Sequence, residues 1–144
     1  MYVQTPITVF NRRVGADRRE VYLPTCIRSA SFGESIGSGH ASDGAHSQQL
    51  AYKLRIPVNA EIQGGKTYIQ EAGFRLLDDQ AAAQHWTLQT GDYVAPIETE
   101  LSGPVDAATM EGLAARSHLI AIKEYADNTA RGTPAVQHWR IGGE

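Results

Sequence analysis

The sequence contains a single cysteine, Cys26, so an internal disulfide framework and zinc sites built from several thiolates are both excluded. No window approaches the roughly 18 consecutive apolar residues of a membrane span. The first ten residues, Met1 to Phe10, lack the basic start and apolar block of a signal peptide. The expectation is a chain with no use for a membrane, made in the cytoplasm. Charge of one sign is also scarce: 13 Lys and Arg face 16 Asp and Glu, for a net charge of −3 without any block of like charge. Binding to nucleic acid through phosphates requires the opposite balance. Aromatic residues make up 8%, too few for a stacking platform for sugars or bases. What is present, 144 residues of which 42% are hydrophobic and 20% charged, is one ordinary globular domain.

Short β-type segments dominate the pattern. Ile7 to Asn11 is β-branched and aromatic and follows Pro6, which suits a strand start. A polar turn from Asn11 to Glu20 precedes an extended stretch, Tyr22 to Ala30. Pro24 has no N–H to donate, so this stretch is expected either to be a sheet edge, with Tyr22, Thr25 and Arg28 available for contact, or to begin after the proline. Leu50, Tyr52, Leu54, Ile56 and Val58 alternate on one face of a further strand. Thr67 to Ile69 reads as a short strand and Leu77 to His85 as a short helix with Asp78 and Asp79 at its positive end. Trp86 to Ala95 reads as strand, Thr90-Gly91-Asp92 turn, strand. Pro104 to Arg116 reads as a helix with Asp106 near its start. Leu119 to Tyr125, a long hairpin tip from Ala126 to Pro134, and a final strand Val136 to Ile141 complete the chain. The sum is a mostly β domain, a small antiparallel barrel or sandwich with one or two short helices.

One segment departs from this pattern. Gly33 to Gln49 holds four glycines, four serines and a single large apolar residue, Ile36. Burial of its own surface does not offset roughly 1–2 kcal/mol of backbone entropy per ordered residue. It is expected as a long flexible loop inserted in the domain, and loops of this length are either functional or disordered. Its contact candidates are Gly33, Glu34, Ser35, Ile36, Gly37, Ser38, Gly39, His40, Asp43, His46 and Gln48. The tip of the last hairpin adds Asp127, Asn128, Arg131 and Gly132.

Catalytic chemistry finds little support. His40-x-x-Asp43-x-x-His46 has the residue types of a divalent-metal site, but a glycine-rich loop offers no rigid support, and polar loop residues are the preferred reading. No metal or other cofactor is expected. No Gly-x-Ser-x-Gly elbow is present, and Cys26 reads as a small buried hydrophobe. Asp78-Asp79 and Glu98-x-Glu100 are the kind of acid pairs common at helix starts and exposed strands. Gly37-x-Gly39 and Gly64-Gly65-Lys66 do not complete a phosphate-binding loop. Trp86 and Trp139, each after a histidine, read as core anchors, Trp139 sharing a face with Gln137 and Ile141.

Three segments carry a resemblance. They are Thr5-Pro6-Ile7-Thr8-Val9-Phe10-Asn11, then His85-Trp86-Thr87-Leu88-Gln89-Thr90-Gly91-Asp92-Tyr93-Val94, then Ile122-Lys123-Glu124-Tyr125-Ala126-Asp127-Asn128 through Arg131-Gly132 to His138-Trp139-Arg140-Ile141. Their order resembles that in small structural proteins encoded among the head and neck genes of tailed bacteriophages and prophages, including minor capsid proteins. The layout is similar to that of head-completion or stopper proteins, small β-barrels that form a ring below the portal and send a long loop into the channel. The resemblance implies a virion structural role without catalysis, in the neck between capsid and tail. It implies a homo-oligomeric ring of roughly six or twelve copies, partners on the portal or adaptor side and on the tail side, and genomic DNA that passes without sequence-specific binding. A mildly acidic channel suits that passage, since cationic walls would hold phosphate. Rival readings are a tail terminator or tail-completion ring, and a small β-barrel ligand-binding module or enzyme. The last would need a polar pocket in which at least two of the five histidines converge.

Overall fold

The computed structural model describes residues 2–40, 46–99, 101, 103–116, 119–130, 132–133 and 136–144. Residues 2–3, 34–40 and 46–50 are described by their backbone alone. Along strand β1 (Tyr2–Val14) the alternation assigns two faces. Ile7 and Val9 point into one apolar cluster and Phe10 into another, and all three are fully buried. Strands β2 (Glu20–His40) and β3 (His46–Pro57) follow. After two two-residue strands, β4 (Thr67–Tyr68) and β5 (His85–Trp86), come β6 (Tyr93–Ala95), β7 (Ile120–Asn128) and β8 (His138–Gly143). The antiparallel order β1-β2-β3-β8-β7-β6 closes on itself, because β6 also pairs with β1. The fold is therefore a small closed antiparallel β-barrel, which leaves few free sheet edges.

The barrel interior is filled by alternate residues from every strand. Leu54 and Ile56 of β3, Ile120 and Ile122 of β7 and Ile141 of β8 are fully buried there. Each such side chain contributes roughly 1.5–3 kcal/mol of transfer free energy. Tyr52, Leu54 and Ile56 share the inward face of β3 as the alternation requires, with Val58 packed against the same cluster. Trp86 and Trp139 meet Tyr68 in a trio with ring centroids 4.9–5.0 Å apart, so both tryptophans are core anchors. Cys26 is buried, and burial pushes its thiol pKa up.

Three short α-helices and a 3-10 turn at Gln63–Gly65 lie among the described residues. Helix α3 (Ala107–Arg116) lays Met110 and Leu113 over Phe10 and Tyr22 on the outside of the barrel. Asp106 caps it by accepting the N–H of Thr109 at 2.8 Å. Helix α2 (Asp79–Ala82) is capped by Asp78, which accepts from Ala81 N at 2.7 Å. It is shorter than the expected helix, and α1 (Glu71–Arg75) precedes it. Phe74 of α1 and Ala82 of α2 close over Leu23.

Several expectations are corrected. Pro6 does not begin β1: the strand runs through it, with a register shift between Thr5 and Ile7 that leaves Arg28 and Ser29 of β2 unpaired with β1. The stretch Trp86 to Ala95 is not a hairpin, since β5 pairs in parallel with β4 while β6 joins the barrel. Nor is Tyr22 to Arg28 an open edge. Its outward backbone groups are taken by Val105 opposite Tyr22, by the Lys66 ammonium on Pro24 O at 2.9 Å, by Gln63 Oε1 on Cys26 N at 3.0 Å, and by Glu61 O on Arg28 N at 3.1 Å. Pro24 fits because its missing N–H falls on this outward side, where a loop and not a strand runs past. Tyr22 is buried under α3 and Thr25 is fully buried, which leaves Arg28 alone exposed among the three proposed edge contacts.

Candidate functional site

The largest correction defines the site. Gly33 to His40 and His46 to Gln49 are not an irregular loop but the outer halves of β2 and β3. The two strands pair without a bulge from Ser31 opposite Arg55 to His40 opposite His46. Glycine and serine bury little area, but a ladder is held by backbone hydrogen bonds that they form as well as any residue.

The outer strands stop early. β1 pairs with β2 only as far as Tyr2 opposite Gly33, and β8 pairs with β3 only as far as Gly143 opposite Tyr52. Beyond these, the five pairs from Ile36–Leu50 to His40–His46 have no third strand among the described residues. At about 3.3 Å per residue this is a two-stranded arm roughly 17 Å long. It carries Ile36, Gly37, Ser38, Gly39 and His40 on one strand and His46 and Gln48 on the other, with Gly33, Glu34 and Ser35 at its root. Asp43 lies outside the described residues.

The second expected contact, the β7–β8 tip, begins later than Ala126. Asp127 and Asn128 are the last residues of β7, opposite Trp139 and His138. The Asp127 carboxylate accepts the Thr129 N–H and hydroxyl and so starts the turn. Gly132 is exposed, while Arg131 and Pro134 lie outside the described residues. The arm and this tip are separate features, both built on hairpins that begin in the barrel wall.

Clefts formed by the described residues include two on the barrel surface. One, about 370 Å³, is lined by Arg12, Arg13, Val14, Phe74, Arg75, Gln89, Thr90, Gly91 and Asp92. Its guanidinium groups are each paired with a carboxylate: Arg12 with Glu20 at 3.0 Å, Arg13 with Asp79 at 3.0 Å, and Arg75 with Glu71 at 2.7 Å. The Arg12 hydrogen bond holds the Glu20 carboxyl below the usual range, and the Ala16 N–H followed by Arg13 does the same for Asp79. The other, about 330 Å³, is lined by Cys26, Arg28, Glu61, Ile62, Gln63, Gly64, Glu98 and Thr99. Neither cleft is lined by a histidine. His85 sits 2.7 Å from Ala81 O and His138 2.7 Å from Val136 O, so these two rings serve local backbone; His118 and Glu100 lie outside the described residues. Among the described residues no three His, Cys, Asp or Glu side chains gather as a metal site.

Behind the first cleft lies a polar cluster that sequence reading missed. Asn11, Thr87, Gln89 and Asp92 are all buried. Asn11 mimics a strand partner: its Nδ2 donates to Thr87 O at 2.7 Å and its Oδ1 accepts Thr87 N at 3.1 Å. Asp92 Oδ2 accepts from Asn11 at 3.0 Å and Gln89 at 2.8 Å, and its Oδ1 accepts the Arg12 N–H at 3.1 Å. Burial raises the Asp92 pKa, and these donors oppose the rise. The cluster ties the strandless segment 87–92 to β1 and so holds the barrel where no ladder exists.

Comparison with known proteins adds one finding. No curated protein and no solved structure matches the chain. Residues 2–144 match the model described as "Family of unknown function (DUF6751)", and the chain belongs to that family.

Proposed function

We propose that this chain is a non-enzymatic virion structural protein of a tailed phage: a subunit of a homo-oligomeric ring in the head-to-tail connector, stopper-like, joining the portal side to the tail. The single observation that carries the reading is the arm. Among the described residues, the five consecutive pairs from Ile36–Leu50 to His40–His46 leave the barrel wall with no third strand beside them. An isolated two-stranded ribbon is marginal in water, so an arm of this kind gains its stability from a neighbour. A ring supplies that neighbour, because its heterologous contacts bring a different surface of the next copy to each subunit. The arm also lacks the devices that keep sheet edges apart. From Ser29 to Tyr52 there is no lysine, arginine or proline.

The order of the three segments from Thr5, His85 and Ile122 supports the same reading, as does a net charge of −3 for a protein beside passing DNA. The test is to locate and count the chain in purified particles by cryo-electron microscopy with quantitative mass spectrometry. It is paired with a deletion of Gly37 to His46 closed by a short turn. The expected outcome is a closed ring between portal and tail, and deleted particles that fail to attach tails or to retain DNA. Absence from the particle, or normal tailed particles from the deletion, sinks the reading.

A further inference from the structure

We propose that the arginine-rich end of the barrel, at the cleft floored by Phe74, docks an acidic segment of a partner protein. Five of the ten arginines of a chain with net charge −3 belong to this end. Arg12, Arg13 and Arg75 line the cleft, and Arg18 and Arg19 stand exposed in the turn that follows its wall residue Val14. Arg13 is the structural member: its side chain is only 12% exposed, and it is held by Asp79 Oδ1 at 3.0 Å and Leu77 O at 2.6 Å. Asp79 Oδ2 also accepts the Ala16 N–H at 3.2 Å, which ties the turn to α2 and fixes the platform. The other four have donors to spare. Arg12 meets Glu20 through Nε and Arg75 meets Glu71 through one Nη2, with side chains 54% and 69% exposed. Among the described residues their remaining guanidinium nitrogens make no hydrogen bond to protein, and Arg18 and Arg19 make no ion pair. Exposed pairs of this kind hold their partners weakly, so an incoming carboxylate can share or take the fork.

Two further observations fall on the same surface. Val14, 55% exposed, lines the cleft, and Leu76, 87% exposed, follows Arg75, so apolar side chains in water flank the guanidinium groups. Arginine without lysine, beside exposed aliphatic surface, is the composition of a protein interface. Arg18 has φ +64°, the one left-handed non-glycine residue among those described. Glycine or asparagine suits such a turn position, and an arginine kept there at a cost in strain points to a use for its side chain. The occupant is an acidic peptide and not nucleic acid. Asp17, Glu20, Glu71 and Asp79 stand among the arginines, which repels a continuous phosphate backbone but leaves single planar forks for single carboxylates. The inference rests on this cleft and not on the neck reading. Peptide binding by the isolated chain is decided independently of where the chain is found in a particle.

The test is fluorescence polarisation with the full untagged chain and a labelled peptide of glutamates around one central leucine. The same peptide with glutamine for glutamate, and a short DNA duplex, serve as comparisons. The expected result is saturable micromolar binding of the acidic peptide, at least tenfold tighter than either comparison and at least tenfold weaker in roughly 0.5 M salt. Arg12→Gln and Arg75→Gln together should weaken it at least tenfold, whereas Arg116→Gln, an exposed arginine of α3, should leave it unchanged. Arg18→Gly separates use from structure: it should weaken binding severalfold while the melting temperature holds or rises, because glycine takes the left-handed turn without strain. Melting temperature also shows that the double variant is folded. Absence of saturable binding, DNA bound as tightly as the acidic peptide, or binding that survives the Arg12 and Arg75 substitutions in a folded chain overturns the proposal.

Discussion

Asp92 shows how much one residue does where the barrel has no ladder. A buried carboxylate with three donors is costly to charge and costly to remove, and burial is the larger influence, so its pKa is raised in the fold. The sign of the pH effect follows. Between its ordinary value and the raised one, the folded chain holds a proton that the unfolded chain has released, so this group makes stability fall as pH rises through that window. Above the window the loss is complete. Asp92→Asn has no such titration. In urea unfolding at a series of pH values from 3.5 to 7, the stability of the parent minus that of Asp92→Asn should decline as pH rises and then level off. A difference that grows with pH would mean that the donors from Asn11, Gln89 and Arg12 outweigh burial. None of this was legible in the sequence. Asn11 and Asp92 are 81 residues apart, and Asn-plus-Asp carries no pattern until the chain is folded.

Strands and helices were legible where side chains report on burial and illegible where they do not. Tyr52, Leu54 and Ile56 announce β3 because every second residue is apolar and the barrel buries that face. Asp106 announces α3 because a cap needs a short acceptor at that position. The outer halves of β2 and β3 are written in glycine, serine and glutamine, so the alternation that marks a half-buried strand is absent although the ladder is there. Thr90-Gly91-Asp92 carries a turn signal that does not say which strands it joins, and β5 pairs in parallel with β4 instead. The closure of the barrel depends on a residue that reads as trivial. At Gly143, where β8 lies between β3 and β7, an added Cβ would collide with Ala121 O and meet Ile120 Cγ2 at 2.7 Å. The Ala121 backbone cannot move aside without opening the β7–β8 pairing. At the adjacent Gly142 the obstacle is the exposed side chain of Glu124, which can swing away. Gly143→Ala should therefore cost about 2–3 kcal/mol, or roughly 5–10 °C in melting temperature for a chain of this size. Gly142→Ala should cost less than about 1 kcal/mol. Thermal and urea melts of the pair check this, and equal effects would mean that the β7–β8 seam is not tightly closed at Gly143.

At the scale of the whole molecule, the barrel and the arm differ in what holds them. The barrel has three apolar clusters and a closed ladder, so its amides open only with global or large sub-global unfolding. Among the described residues, the arm beyond Ser35 and Ala51 has backbone pairing to one neighbour strand. Its opening therefore need not involve the barrel at all, and it is the part of the molecule whose stability an assembly can change most. Hydrogen exchange separates the two cases. In the dilute single chain, amides of Leu54, Ile56 and Ile141 should exchange on the slowest timescale the barrel allows, and those of Ile36 to His40 and His46 to Leu50 orders of magnitude faster. In an assembled ring the arm amides should slow by at least tenfold while the barrel amides change little, because the third strand or surface they lack is supplied by the next copy. Equal protection of the arm in both states would mean that the single chain already holds it. The arm would then need no neighbour, and the ring would lose its physical basis.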